Sequence, residues 1–188
     1  KTFDIEVDKV WDDENDNDGL RPEKIKVHLY GDKECSSAAY IDTAYIYADT
    51  DWKYTFEDLV EYDKDGKKIE YTLKEEPVDN YKSKIEGYTV TNIHAVEKVK
   101  VEGSKIWNDN DNQDGKRPTS ITVKLLADGE VVKTATVTAA NDWSWSFTDL
   151  PKYVDGKEIV YTIAEVAVDG YTSKVVGENI VNTHEIEK

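Results

Sequence analysis

Apolar residues recur at every second position over short runs of this chain. Such a period of two marks strands buried on one face. In the run Val99-Lys-Val-Glu-Gly-Ser-Lys-Ile-Trp107, residues Val101, Gly103, Lys105 and Trp107 fall on one face. A near-copy, Val7-Asp-Lys-Val-Trp11, places Val7, Lys9 and Trp11 together. In the second half the pattern predicts strands near 99–107, 119–127, 130–138, 142–148, 157–165, 171–176 and 178–184. Ala127-Asp-Gly-Glu130 reads as a hairpin turn, and Asp155-Gly156 and Asp169-Gly170 mark further turns. No stretch carries a helical period. About seven short strands with turns between them is the spacing of a β-sandwich.

The pattern occurs twice. Asp18-Gly-Leu-Arg-Pro22 matches Asp114-Gly-Lys-Arg-Pro118, and the segment Asp51–Leu59 matches Asp142–Leu150. Asp65–Glu75 matches Asp155–Glu165, and Tyr88–Asn92 matches Glu178–Asn182. The order is the same in both halves, so the chain reads as a tandem repeat, with domains at 1–95 and 96–188. The first copy is longer ahead of Trp52, and Cys35 lies in that extra stretch. The connection Ile93-His-Ala-Val-Glu-Lys-Val99 has no Gly, Pro or Ser, which predicts a stiff, end-to-end arrangement.

Composition narrows the function. The chain has 188 residues and a formal charge of −16, from 24 basic and 40 acidic residues. That balance argues against nucleic acid and anionic membrane as partners and favours solubility. No apolar run is long enough to span a membrane, and no signal peptide is evident. The abrupt start in strand-like sequence reads as a fragment of something larger. Met is absent and Cys35 is the sole cysteine, so a disulfide within the chain is impossible. Twelve Tyr and five Trp, with recurrent Thr and Val, suit strands.

Strand parity then isolates three polar residues per half. Ile69, Tyr71 and Leu73 share their face with Glu75, and Ile159, Tyr161 and Ile163 share theirs with Glu165. Tyr88 and Val90 align with Asn92, and Ile180 aligns with Asn182. One Lys, one Glu and one Asn per half therefore face the core: Lys9, Glu75 and Asn92, then Lys105, Glu165 and Asn182. Three readings follow. The charges pair as a buried salt bridge with the amide bonded to it. Alternatively, the positions lie at strand ends and reach water. In the third reading, burial neutralises lysine and glutamate, and the amine attacks the asparagine amide to form a cross-link once per domain.

These segments resemble the Cna B-type repeat domains of Gram-positive surface adhesins and pilins. The resemblance runs through Lys105-Ile-Trp-Asn-Asp, Asp114–Pro118, Trp143–Leu150, Tyr161–Glu165 and Ile180-Val-Asn-Thr183, and covers nearly the whole chain. It implies all-β architecture: two tandem inverse-immunoglobulin-like β-sandwich domains arranged end to end. It also implies Lys9–Asn92 and Lys105–Asn182 isopeptide cross-links, with Glu75 and Glu165 as catalysts. Glu76 is a rival to Glu75 by position, but parity turns it outward. The implied role is a structural stalk on the cell-wall surface of a bacterium, extracellular, monomeric and without multi-turnover activity. Its partners would be neighbouring repeats and, through a separate domain, a host matrix protein. A collagen-binding module and a fragment of a sortase-assembled pilin are the alternatives.

Other signals are weaker. Asp12–Gly19 and Asn108–Gly115 resemble the start of a calcium loop, but Ile25 and Ile121 occupy the position of the closing Glu. An Asx-rich turn is the simpler reading, and no metal or cofactor is expected. His94 and His184 each follow the cross-link Asn by two residues, and His28 is alone. Cys35 reads as incidental.

Overall fold

Inward positions are mainly apolar and outward ones mainly polar along most strands, and that alternation builds the fold. The computed structural model describes residues 1–188 as two compact units, Lys1–Val96 and Glu97–Lys188. Both are all-β.

In the first unit, one sheet holds β1 (Thr2–Asp12), β4 (Lys53–Val60), β6 (Lys82–Glu86) and β7 (Thr89–Ile93), in the order β4-β1-β7-β6. The facing sheet runs β3-β2-β5, from β2 (Lys24–Tyr30), β3 (Tyr40–Tyr47) and β5 (Thr72–Glu75). First and last strands lie side by side and parallel, pairing Lys9 with Val90 and Trp11 with Asn92. The other pairings are antiparallel. Val7, Val27, Leu29, Ile46 and Val90 have no exposed surface and form the centre of the core.

The second unit repeats this plan. One sheet holds β8 (Lys98–Asn108), β11 (Ser144–Pro151), β15 (Thr172–Val176) and β16 (Asn179–Thr183), in the order β11-β8-β16-β15. The facing sheet is β10-β9-β14, from β9 (Ser120–Ala127), β10 (Glu130–Thr138) and β14 (Tyr161–Glu165). The parallel first–last pair recurs, with Lys105 beside Ile180 and Trp107 beside Asn182. Asp128 and Gly129 both take positive φ, 49° and 89°, and join β9 to β10 by a two-residue turn. The first unit has a longer loop there. It contains the 3-10 turn Ser37–Ala39, and Cys35 approaches the Thr72 hydroxyl at 3.4 Å.

The structure departs from the sequence reading at two places. The run 157–165 is not one strand: β12 (Tyr153–Val154) pairs with β13 (Lys157–Glu158), and β14 begins only at Tyr161. The chain changes partner between them, because the Ile159 amide donates to Lys152 O while Val160 bonds Asp128. The strand expected from 142 begins at Ser144, because Asp142 and Trp143 take φ of 55° and 53° after the 3-10 turn Ala139–Asn141. Helical structure is limited to three such single turns.

The halves also differ across one strand pair. Val7 opposes Tyr54 in the first unit, and Gly103 opposes Trp145 in the second. A Cβ on Gly103 would stand 1.9 Å from the Glu178 carbonyl oxygen and 2.8 Å from the Trp145 ring. We therefore expect Gly103→Ala to destabilise the second unit by about 1–3 kcal/mol through overpacking. The check is the denaturant midpoint of that unit, and an unchanged midpoint would show that β8 accommodates the methyl freely.

Candidate functional site

Each unit carries its lysine on the first strand, its asparagine on the parallel last strand, and its glutamate on the facing sheet. Lys and Asn are offset by two residues in register, so both side chains enter the core diagonally from neighbouring strands. The glutamate ends β5 or β14 and reaches them across the sandwich. All six side chains are buried: Asn92 and Asn182 have no exposed surface, and the Lys105 and Glu165 side chains are 0% and 1% exposed.

In the second unit the groups touch. Glu165 Oε1 accepts from Asn182 Nδ2 at 3.1 Å and lies 3.6 Å from Lys105 Nζ. The other oxygen, Oε2, accepts from the Ser173 hydroxyl at 3.0 Å. Lys105 Nζ makes no hydrogen bond, and Asn182 Oδ1 is likewise unpaired. In the first unit the same residues converge less tightly. Lys9 Nζ donates to Val10 O at 2.8 Å, and both Glu75 oxygens and both Asn92 polar atoms lack well-aligned hydrogen bonds. Glu76 points outward and pairs with Lys26 at 2.9 Å and His28 at 3.0 Å.

Electrostatics follow from the dryness. Burial lowers both Lys9 and Lys105 to about 8, against the pull of Glu75 and Glu165 toward the charged form. At pH 7 about one lysine in ten is then neutral, instead of roughly one in three thousand. Burial pushes the Glu75 carboxyl up, opposed by Ser83, Lys9 and Asn92. The Lys9 amine lies 3.6 Å from the Trp11 ring centroid and that of Lys105 4.3 Å from Trp107, so each indole covers its lysine. An amine, a carboxyl and a carboxamide buried together are a set able to transfer an acyl group from nitrogen to nitrogen.

Beyond the ends of these strands lies a second polar cluster that parity did not reveal. Asp109 accepts from Arg117 at 2.6 and 3.0 Å, from the Tyr171 hydroxyl at 2.8 Å and from the Asn112 amide at 3.0 Å. Asp13 does the same with Arg21, Tyr81 and Asp16. The loops hold three consecutive left-handed residues, Glu14–Asp16 and Asn110–Asn112. Asn and Asp tolerate that conformation, which explains an acidic composition that resembled a calcium loop. His94 sits between Asp18 at 2.8 Å and the Asn80 carbonyl at 2.9 Å, and His184 between Asp114 at 2.9 Å and the Gly170 carbonyl at 2.7 Å. Both nitrogens of each ring face acceptors, which only the imidazolium satisfies on both sides. The signal in the sequence was the repeat itself, since Asp, Arg, Tyr and His recur at equivalent places in both halves.

Comparison with known proteins gives a consistent family. The Cna protein B-type domain matches residues 5–93 and again 101–183. A collagen adhesin of Staphylococcus aureus is 41% identical over 184 residues, 97% of this chain but only 15% of that protein. The crystal structure of two B repeat units of the collagen-binding protein of S. aureus superposes with a TM-score of 0.87 at 39% identity, covering 96% of this chain and 49% of that one.

The clusters predict a pH profile. His94 and His184 are raised above the ordinary 6.5, chiefly by Asp18 for His94 and by the Gly170 carbonyl and Asp114 for His184. Their contribution is complete below about pH 6.5 and lost as pH rises through the folded values. Arg117 holds Asp109 at about 2, so its contribution is present above about 3.8 and lost as pH falls toward 2. Melting temperature measured against pH should lose its alkaline decline in a His94→Gln/His184→Gln variant, by difference from the unaltered chain. If the decline persists in that variant, the imidazoles are not its source.

Proposed function

This chain belongs to the Cna protein B-type domain family, and we propose that it is a pair of stalk domains of a bacterial surface adhesin, each closed by one self-formed amide bond. The bonds join Lys9 to Asn92 and Lys105 to Asn182, with Glu75 and Glu165 moving the protons. One observation carries the reading: in a dry core, a single carboxyl oxygen stands 3.1 Å from the amide nitrogen and 3.6 Å from the lysine nitrogen.

The step balances without an oxidant. Lys105 gives a proton to Glu165 and attacks Asn182 Cγ as the neutral amine. The Cγ–Nδ2 bond breaks as the attacking nitrogen gives up its second proton, and both lysine protons pass through Glu165 to the departing nitrogen. That nitrogen leaves as ammonium, Glu165 is again a carboxylate, and the net loss from the protein is one NH3. Amides resist attack in water, so the gain comes from fixed orientation. It runs once per domain and yields a cross-link.

The mechanical consequence follows from the parallel first and last strands. Tension on the two ends of a unit shears β1 against β7, or β8 against β16. A covalent tie between those strands passes the load directly across and leaves the intervening chain unstretched. Closing a loop of this size also removes about 4–5 kcal/mol of unfolded-chain entropy, by analogy with disulfides. Cys35 cannot supply such a tie alone.

The location that fits is the outer surface of a bacterial cell wall, since the related S. aureus protein is an adhesin. Neighbouring repeats of the same chain are the direct partners, and any host matrix protein, collagen included, would be held by a separate domain.

Intact mass tests the bonds. The full chain should weigh about 34 Da less than its sequence, about 17 Da for each ammonia lost. Glu165→Ala and Glu75→Ala should each restore about 17 Da. A measured mass equal to the sequence mass ends the proposal.

A further inference from the structure

We infer that Ser173 is a positioning residue for the bond in the second unit: its hydroxyl fixes one carboxyl oxygen of Glu165 and leaves the other to carry the proton. The inference rests on the cross-linking reading given above and assigns a further residue to it.

Ser173 lies on edge strand β15, directly opposite Asn182 in the register. Its hydroxyl donates to Glu165 Oε2 at 3.0 Å, while Oε1 faces Asn182 Nδ2 and Lys105 Nζ. The two oxygens therefore have separate partners. A terminal carboxyl rotates easily, because its last torsion is broad and roughly two-fold. A donor on Oε2 restrains that rotation and keeps Oε1 within reach of both amine and amide. Ser83 stands opposite Asn92 on edge strand β6, so the same residue type recurs at the same register position.

Strand parity strengthens the point. Ser83 shares its face with Ile85, which packs against the core, so an apolar residue would suit the site if packing alone mattered. Ser173 is exposed while the Glu165 carboxyl it addresses is buried. The hydroxyl is thus the polar group between the glutamate and water. Donation to a carboxyl oxygen favours the carboxylate.

The test follows bond formation in the full chain made by cell-free translation. After synthesis is stopped, samples are quenched over time and digested, and the branched peptide joining Lys105 to Asn182 is quantified by mass spectrometry. Ser173→Ala should form it about tenfold more slowly, the loss expected from one hydrogen bond to a charged group. The acid limb of its rate–pH profile should move to higher pH, because the carboxyl loses a donor that favours its ionised form. Ser173→Thr, which keeps the hydroxyl, should restore both rate and profile. Wild-type rate and profile in Ser173→Ala, with Glu165→Ala still blocking the bond, would overturn the serine's role while leaving the cross-link intact. Equal slowing by Ala and Thr would overturn it too, since the hydroxyl would not be the cause. Absence of the branched peptide from the unaltered chain would overturn both readings together.

Discussion

A lysine amine enclosed in a dry β-sandwich is the constraint to which the rest of each unit responds. An isolated ammonium there is too costly to persist, so the core must neutralise it, pair it or consume it. The structure gives it a carboxyl from the facing sheet, an indole above and an amide on the neighbouring strand. A salt bridge alone would account for the carboxyl. It does not account for a fully buried asparagine whose carbonyl oxygen has no donor. Conversion of amine and amide into one secondary amide would remove the charge and one polar group from the interior, which is why we favour consumption over pairing.

The two units meet this constraint with unequal precision. In the second, the carboxyl contacts amine and amide at once; in the first, the lysine turns to its neighbouring carbonyl, Val10 O. The surrounding cores differ as well. Val7 and Tyr54 fill the space that Gly103 and Trp145 fill in the second unit, so a small residue on one strand is offset by a large one across from it. The pair changes shape, and the register of the parallel strands is the same in both. The relation of lysine to asparagine is set by that backbone register and so survives the repacking. The final approach of the amine depends on side-chain packing.

Much of this was legible in the sequence because a strand's period is two. Once Ile69, Tyr71 and Leu73 were placed inward, Glu75 had to follow, and the same arithmetic fixed Lys9 and Asn92. The repeat doubled the evidence, since chance placement of three inward polar residues rarely recurs. Parity is silent outside strands, however. The Asp13 and Asp109 clusters lie in loops, where partners come from left-handed turns and a distant tyrosine. Ser173 sat on a predicted strand, yet its meaning depends on which strand it pairs with, and pairing is a long-range fact. The break of the 157–165 run was hidden for the same reason: a strand that changes partner has no local mark.

The loop clusters and the lysine site act on the same pair of strands. The His94 amide donates to Asp12 O, and the His184 amide to Asn108 O, extending each parallel ladder past its last strand residue. The imidazole then reaches the loop that follows the first strand, through Asp18 or Asp114. Amide-bond formation needs the first and last strands already in register, because a one-residue slip would turn the lysine outward. Something non-covalent must hold that register while the chemistry proceeds. The clusters are suited to it: they join the ends of the same two strands, two residues beyond the asparagine, by charge-assisted bonds largely shielded from water. On this view the polar clusters set the alignment and the proposed covalent tie would make it permanent.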